Sequence, residues 1–337
     1  MYFINLFNYT NLFCKNPLIN RNQTNLWPNI IKGWQTDVKT FYSWLLTMKY
    51  VYIIINGGAD CLYRKHPAIN LLFYTLLIFF AILFMFPLFW MISTSLKSSG
   101  EVFSIPPQWI PESLEWGNYV EAVNSFPFIR YAANSVFITV LSIFGGVFSS
   151  AYVAYGFAKL EWPGKNMWFT LMLATMMVPS QITMIPLFIF YSRLGWINTY
   201  YPFILPSFLG SPFFIFLFRQ FYLALPNELN EAARIDGASE FQIWRKIYLP
   251  LSKPAMATTA IFLFMFTWND FMGPLIYLHD PKLFTLQLGL RGFQQQYGTR
   301  WHVMMAASLL VAIPSIALFL SFQKYFVRGS SVSGVKG

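Results

Sequence analysis

Long apolar runs separated by short polar segments dominate the pattern along this chain. Six of them, each near or above the roughly 20 residues that a helix needs to cross a bilayer core, lie at about 69–93, 133–157, 167–191, 200–224, 256–278 and 303–325. The first, INLLFYTLLIFFAILFMFPLFWMIS, is the clearest. The pattern predicts an all-α integral membrane protein with six transmembrane helices.

Proline residues interrupt several of the runs besides the first. They are Pro179 and Pro186 in the third run, Pro202, Pro206 and Pro212 in the fourth, Pro274 in the fifth and Pro314 in the sixth. Proline frees backbone carbonyl groups, and lipid cannot satisfy them. We therefore expect these helices to pack against protein or to line a wet cavity.

Composition and charge agree with a membrane protein and suggest its orientation. The chain is 56% hydrophobic and 11% charged, whereas soluble domains carry about 25% charged residues. With six crossings and a cytoplasmic N-terminus, 17 of the 23 Lys and Arg residues lie on the cytoplasmic side. This asymmetry predicts that both termini lie on the cytoplasmic side. Because the basic residues cluster between apolar runs, we do not expect nucleic acid binding.

Residues 1–65 differ from the rest, because they are rich in Asn and aromatic residues and lack periodicity. We interpret them as an N-terminal cytoplasmic or interfacial segment. Within them, residues 41–55 resemble an interfacial helix, and Met48 is a possible alternative start. The first transmembrane helix and an external loop would then occupy 66–129, and the main transmembrane domain 130–337.

A polar segment at 225–255 interrupts the apolar part of the chain. Asn227 can cap a helix whose first turn contains Glu228 and Glu231, where the helix dipole favours acids. Gly237 suits a left-handed residue that ends this helix. The sequence therefore predicts a short helix followed by a tight turn.

A second short helix should follow the turn. The stretch Ser239 to Gln242 is a capping box, and Phe241 and Trp244 form an apolar pair at helical spacing. We expect Pro250 and Pro254 to end this helix. From the pattern alone, the helix pair could dock on a partner, with the small side chains of Ala232 and Ala233 allowing close approach, or it could lie on the lipid surface.

The stretch EAARIDGASEFQIWRKIYLPLSKPA, residues 231–255, resembles the EAA signature of binding-protein-dependent ABC importer permeases. The matching residues are Glu231, Ala232, Ala233, Asp236, Gly237, Ala238, Ile247, Leu249, Pro250 and Pro254. Further likeness at 267–278, 285–301 and 325–337 points to the maltose-type carbohydrate permeases, and the resemblance covers the chain from about residue 68 onward.

The resemblance implies a type I ABC importer permease fold in which a cytoplasmic two-helix coupling loop, 225–255, docks on an ATPase. The coupling residues it implies are Glu231, Ala232, Ala233, Asp236, Gly237, Ala238, Leu249 and Pro250. Implied partners are a second permease subunit, two cytoplasmic ATPase subunits that bind the ATP, and an extracytoplasmic solute-binding protein. The resemblance also implies a location in a bacterial-type plasma (inner) membrane, and it implies no cofactor for this chain.

Two groups of residues are candidates for contact with the solute or its carrier. Trp268, Asn269 and Asp270 could border a sugar path, because sugars stack on aromatic rings and bond to amides and carboxylates; Asp270 could instead cap a half-helix. The last external loop contains Gln294, Gln295, Gln296 and Tyr297, which the resemblance places near the binding protein. Alternatively, these four residues form an ordinary solvent-exposed loop without a partner.

Other functions find little support in the sequence. The chain has no G-x-x-x-x-G-K-[ST] motif, no nucleophile elbow and no His/Cys cluster. We therefore expect a transport subunit for a sugar or oligosaccharide and not an enzyme. A permease for a glycerol-phosphate-like solute is the alternative, and a membrane-embedded enzyme is the less favoured one.

Overall fold

The computed structural model describes residues 67–295 and 298–331, so the segment 1–65, with its expected interfacial helix at 41–55, lies outside the described residues. Residues 67–88 and 89–331 belong to two compact units, and every contact given below lies within the second. The described chain is helical apart from one pair of two-residue antiparallel strands, which supports the predicted all-α class.

Most of the helices follow one another with short connections, but residues 96–116 form a longer segment between the first two. The helices are α1 (Pro67–Ser95), α2 (Gly117–Asn124), α3 (Phe128–Lys159), α4 (Lys165–Ala174), α5 (Ser180–Arg193), α6 (Tyr201–Ile204), α7 (Pro212–Leu223), α8 (Glu228–Ile235), α9 (Glu240–Ile243), α10 (Leu249–Leu251), α11 (Lys253–Trp268), α12 (Met272–Tyr277), α13 (Leu286–Leu290) and α14 (Trp301–Ser331). Strands β1 (Gln294–Gln295) and β2 (Gly298–Thr299) pair with Gln294 opposite Thr299.

Among the described residues, four helical segments are long and apolar enough to cross a membrane: Leu71–Ser95, Phe128–Lys159, Tyr201–Leu223 and Trp301–Phe322. Two further segments are bent pairs, Lys165–Met177 with Ser180–Arg193 at 100° and Glu240–Leu251 with Lys253–Trp268 at 79°. Counting each pair as one span gives up to six, in agreement with the six predicted. Because 240–251 carries three charged residues, we assign it to the polar loop.

Three of the predicted spans, the third, the fourth and the fifth, are not the continuous helices that their apolar runs suggest. The third breaks at Pro179, whose backbone is extended between the two halves. In the fifth run, helix α11 ends at Trp268, and Asn269 and Asp270 lie outside any helix before α12 begins. Hydropathy alone does not register these breaks, since the flanking residues remain apolar.

The fourth span shows how a proline-broken helix is satisfied inside protein. The helix is interrupted at Gly210, which has a φ of +82°, and at Ser211, whose backbone is extended. Serine hydroxyls on α3 bond to backbone groups of this span. Ser142 donates to the carbonyl of Phe203 at 3.1 Å, Ser149 donates to that of Ser207 at 3.0 Å, and Ser150 accepts from the N–H of Ser211 at 3.3 Å. This agrees with the expectation that such helices pack on protein.

Helix α3 lies against α7 and α11 through small residues. Ala151 and Ala154 are fully buried in a core shared with Phe218 and Tyr222 of α7 and with Ala255 of α11. Small side chains let helix backbones approach closely in a membrane. This packing fixes the position of the polar segment, which connects α7 to α11.

Candidate coupling and translocation sites

The turn between α8 and α9 has the geometry that the sequence predicts. Gly237 has a φ of +77°, and the N–H groups of Gly237 and Ala238 bond at 3.0 Å to the carbonyls of Arg234 and Ala233, which is a Schellman motif. Ser239 caps α9 and forms a full capping box with Gln242. These local features are therefore confirmed.

Two details of the predicted loop are wrong. Asn227 precedes α8 but its side chain makes no cap bond; it accepts instead from the Lys159 ammonium at 2.7 Å. Pro250 does not end the second helix, which continues from residue 240 to 251 through a π-helical stretch at Trp244–Tyr248. The wider π turn accommodates a residue that has no N–H to donate.

The tip of the loop is tied to α3 by a hydrogen-bond network around Tyr155. The Tyr155 hydroxyl, on a residue 1% exposed, donates to Glu240 at 2.6 Å and also lies 3.2 Å from Asn230 Oδ1. Arg234 pairs with the same Glu240 carboxylate at 2.7 Å. The network therefore joins α8, α9 and the buried face of α3.

The electrostatics of this network hold Glu240 in its charged form. Burial raises the pKa of Glu240, but hydrogen bonds from Tyr155 and Arg234 outweigh it and leave the pKa below its ordinary value. The stabilisation is therefore present at neutral pH and is lost only as the pH falls through the lowered pKa. The i,i+3 spacing makes Glu231 a possible partner of Arg234, but the ion pair in the structure is with Glu240.

A second tie lies at the base of the loop. The Lys159 ammonium, at the end of α3, donates to the carbonyl of Leu225 at 2.8 Å and to Asn227. It also lies 5.6 Å from the centre of the Tyr248 ring. The loop is thus bonded to the same helix at two points.

The motif residues divide into an inward and an outward set. Ala233 is 9% exposed and packs in the core with Tyr155 and Tyr248, so it is not available for close approach of a partner. Ala232 is exposed, and Ile235 is 86% exposed at the tip of α8. Glu231, Asp236, Gly237 and Pro250 are also exposed, whereas Ala238 and Leu249 are half-buried.

Replacing Gly237 by Val tests the turn. A side chain in a left-handed position costs about 1 kcal/mol or more, and no atom lies within 4 Å of the place where its Cβ would be. We therefore expect Gly237→Val to leave the protein in the membrane but to change the angle of α8 and to lower uptake. Gly237→Asn, which tolerates positive φ, is the matched control. Equal uptake by both variants and the parent would contradict this expectation.

The candidate path residues at the break after α11 have three different surroundings. Trp268 is buried, stacks on Phe264 and donates its N–H to the carbonyl of Val311 at 3.0 Å, so its ring is occupied by packing. Asn269 is exposed and accepts from Gln287 at 3.3 Å. Asp270 accepts from the N–H of Gly273 at 3.0 Å, which is the capping geometry anticipated as the alternative.

Asp270 also borders a cavity of about 320 Å³. The lining comes from the third, fourth and fifth spans and includes Leu187, Tyr191, Phe203, Phe266 and Tyr277. A capped carboxylate can still offer its second oxygen to a polar solute. The path assignment of Asp270 therefore remains a prediction.

The loop that joins α12 to α14 is held by side chains that no pattern in the sequence singles out. Asn198, which has a φ of +59°, accepts from the N–H groups of His279 and Asp280. Asn134 donates to the carbonyls of Lys282 and Phe284, and Ser135 accepts from the N–H of Leu286. Their partners are 81 to 151 residues away in sequence, so no local pattern reveals them.

The four residues expected to face the binding protein lie at the end of this loop. Gln294 and Gln295 form β1, while Gln296 and Tyr297 fall between the strands and outside the described residues. The backbone thus forms a short ladder at this end of the loop. The role of these residues remains a prediction.

A helical membrane bundle with a polar helix pair fixed to its central helix defines a permease-like class of protein. Comparison with known proteins identifies it further. Residues 142–332, more than half of the chain, match the family model described as binding-protein-dependent transport system inner membrane component. The chain belongs to this family and is a permease subunit of an ABC importer.

Individual relatives agree with this assignment. The chain is 35% identical over 280 residues to the arabinooligosaccharides transport system permease protein AraQ of Bacillus subtilis, covering 81% of this chain and 99% of the relative. It is 34% identical to the sn-glycerol-3-phosphate transport system permease protein UgpE of Salmonella typhi, with 76% and 94% covered.

The fold agrees as well. A solved bacterial ABC transporter involved in the import of the acidic polysaccharide alginate contains a chain that superposes with a TM-score of 0.70 and 25% identity, covering 78% of this chain and 98% of that one. The predicted permease fold is therefore confirmed.

Proposed function

We propose that this permease translocates a sugar or oligosaccharide that an extracytoplasmic binding protein delivers, and that the loop 225–255 couples the translocation to ATP hydrolysis. The observation that carries the coupling role is the double tie between loop and span. Tyr155 and Lys159 of α3 bond to the tip and to the base of the loop. A force on the loop is therefore transmitted directly to the central helix.

The partners follow from the surfaces and from the family. Ala232 and Ile235 form an exposed apolar patch beside Glu231 and Asp236, which suits a groove on a cytoplasmic ATPase subunit. We propose two such subunits, which bind and hydrolyse ATP, together with a second permease subunit. This chain itself requires no cofactor and catalyses no reaction in this scheme.

The mechanism is a two-state switch. Closure of the ATPase pair on ATP moves the docked helices α8 and α9, and α3 follows through its two ties. The apolar spans then change between inward-facing and outward-facing arrangements. ATP can shift this equilibrium only because the two arrangements bind it with different affinities.

The solute class is proposed from the relatives. The likeness to AraQ and to the alginate importer supports an oligosaccharide. The likeness to UgpE favours the second candidate, a small phosphorylated polyol. A membrane-embedded enzyme has no supporting observation.

The deciding experiment is to purify the permease with its partner subunits and binding protein and to measure ATP hydrolysis. Neutral oligosaccharides, uronate oligosaccharides and glycerol 3-phosphate are added separately. Stimulation by a saccharide is the expected result. Stimulation by glycerol 3-phosphate alone would replace the first candidate with the second.

The orientation can be tested by cysteine labelling. With both termini in the cytoplasm, a cysteine at Ser113 should react with an impermeant thiol reagent added to whole cells, while one at Lys246 should react only after permeabilisation. Both positions are exposed. Cys14 and Cys61 are first replaced by Ser, and that parent is the control. The reverse labelling pattern would overturn the proposed topology.

A further inference from the structure

Helix α2 (Gly117–Asn124) lies at the opposite end of α3 from the coupling loop. The coupling loop bonds to Tyr155 and Lys159 near the end of α3, whereas α2 leads directly into the start of α3 at Phe128. Since α3 has 32 residues, its two ends are roughly 45 Å apart. Helix α2 makes two sets of contacts there, one with the end of α1 and one with the loop that carries β1 and β2.

The first half of α2 closes the end of α1. The side-chain amide of Asn118 donates to the carbonyl of Ser95 at 3.0 Å and to that of Lys97 at 2.9 Å, and the Ser95 hydroxyl lies 2.8 Å from the Tyr119 hydroxyl. The carbonyl of the last helical residue has no partner within its own helix, so Asn118 acts as a side-chain cap for α1. Asn118 is 7% exposed, and Ser95 and Lys97 are fully buried.

The second half of α2 packs against the last span and against the residue that precedes β1. Ala122 is fully buried in a cluster with Phe293, Val303, Ala306 and Ala307. Small side chains such as these alanines let two helices approach closely in a membrane protein. Because Phe293 comes immediately before β1, this packing holds one end of the strand pair against α2.

An ion pair holds the other end of the strand pair. Arg300 follows β2 and pairs with Glu121, which precedes Ala122 on α2. Both charged side chains are partly exposed, so the pair contributes little to overall stability, and its main effect is to set the position of the strands. Both ends of the β1–β2 pair are therefore joined to the helix that caps α1.

We propose that α2 is a relay, which passes the docking of the solute-loaded binding protein on the loop that carries β1 and β2 to the end of the first span. Glu121 is the positioning residue on the docking side, and Asn118 is the positioning residue on the side of the span. Close-packed and hydrogen-bonded contacts have low compressibility and transmit strain. The inference rests on the proposed function, because it requires a binding protein that docks on this loop.

The test uses the complete transporter in lipid nanodiscs, with an environment-sensitive fluorophore on a cysteine at Ser99, which is exposed just beyond the end of α1. Cys14 and Cys61 are first replaced by Ser. Binding protein saturated with the solute that stimulates ATP hydrolysis most is titrated in, and fluorescence and ATP hydrolysis are recorded together. We expect a saturable fluorescence change whose half-saturating concentration of binding protein equals that for ATP hydrolysis.

Glu121→Arg tests the docking side, because it places two cations next to each other at the base of the strand pair. An exposed ion pair is worth up to about fivefold in affinity, and the substitution adds repulsion. The half-saturating concentration of binding protein should therefore rise at least about twofold, with ATP hydrolysis in its absence unchanged. The exchange Glu121→Arg/Arg300→Glu should restore the parental concentration. Glu112→Arg, the same charge change on an exposed residue between α1 and α2, is the matched control.

Asn118→Leu tests the side of the span. Leucine has a similar size but donates no hydrogen bond, so the carbonyls of Ser95 and Lys97 lose the donor that they share. The fluorescence change at position 99 should be largely lost. The half-saturating concentration for ATP hydrolysis should stay at the parental value, because the contacts of α2 with the strand pair remain.

The outcomes separate the relay from the proposed function. Stimulated ATP hydrolysis in the parent without a fluorescence change at position 99 overturns the relay and leaves the proposed function intact. The relay is also overturned if Glu121→Arg keeps the parental half-saturating concentration, if the exchange does not restore it, or if Asn118→Leu keeps the full fluorescence change. A fall in ATP hydrolysis without binding protein in Glu121→Arg would show a general structural role instead. If no loaded binding protein stimulates ATP hydrolysis, the proposed function fails and the relay fails with it.

Discussion

Ile235→Asp should release the ATPase subunits from the purified permease. Ile235 is 86% exposed at the tip of α8, and burial of such a side chain in a groove stabilises a complex by about 1.5–3 kcal/mol. An aspartate removes that stabilisation and adds a charge that must lose its hydration when it is buried. We therefore expect the affinity for the ATPase to fall at least about tenfold, measured by its retention on an affinity-tagged permease, with uptake lost in parallel.

The matched control is Ile110→Asp, because Ile110 is 76% exposed in the segment between α1 and α2, away from the loop. It should keep the ATPase bound and uptake near the parental rate. Retention of the ATPase by Ile235→Asp would mean that α8 is not the docking element, and the coupling assignment would fail. Ala233→Trp is unsuitable for this purpose, since Ala233 is packed in the core and a large side chain there would disturb the fold itself.

Unlike Ile235→Asp, the Tyr155→Phe variant should retain the ATPase subunits but transport poorly. The substitution removes the hydrogen bonds to Glu240 and Asn230 and leaves the exposed docking face unchanged. A hydrogen bond to a charged group contributes about 1.5–3 kcal/mol when buried; since Glu240 is 40% exposed, about 1–2 kcal/mol is the reasonable expectation. Uptake per ATP hydrolysed should therefore fall about 5- to 30-fold.

Tyr152→Phe is the matched control for this second prediction. Tyr152 lies one turn earlier on α3, is 48% exposed, and contacts Phe241 and Trp244 through its ring, which the substitution preserves. Its coupling ratio should equal that of the parent. If Tyr155→Phe also keeps the parental ratio, the tie between the loop and α3 is not the route of transmission.

The two predictions separate docking from transmission. Ile235 lies on the face that a partner can reach, whereas Tyr155 lies behind the loop inside the bundle. A variant that loses transport while it keeps its ATPase therefore reports on the internal network. The family resemblance alone identifies the coupling loop, but it does not assign docking to Ile235 and transmission to Tyr155.

The sequence by itself determined those features that depend on local chemistry. The apolar runs indicated the spans because lipid requires about 20 apolar residues of helix. Gly237 and the Ser239–Gln242 box indicated the turn, because a left-handed residue and a capped helix start depend on neighbours in the chain. The EAA motif identified the family because its residues lie at fixed spacings within one short stretch, 231–255.

Only the tertiary structure decided which side of each element faces what. Ala232 and Ala233 are adjacent and identical, yet one is exposed and the other buried, because packing on α3 selects the inward face. Arg234 pairs with Glu240 across the turn and not with Glu231 on its own helix, since the turn brings α9 within reach.

Contacts between residues far apart in the sequence could not be predicted from any local pattern. The serine hydrogen bonds in the broken fourth span join residues 58 to 61 positions apart, and the hydrogen bonds that hold the loop between α12 and α14 join residues up to 151 positions apart. These contacts depend on how separate helices pack, which hydrophobic periodicity along one chain segment does not specify.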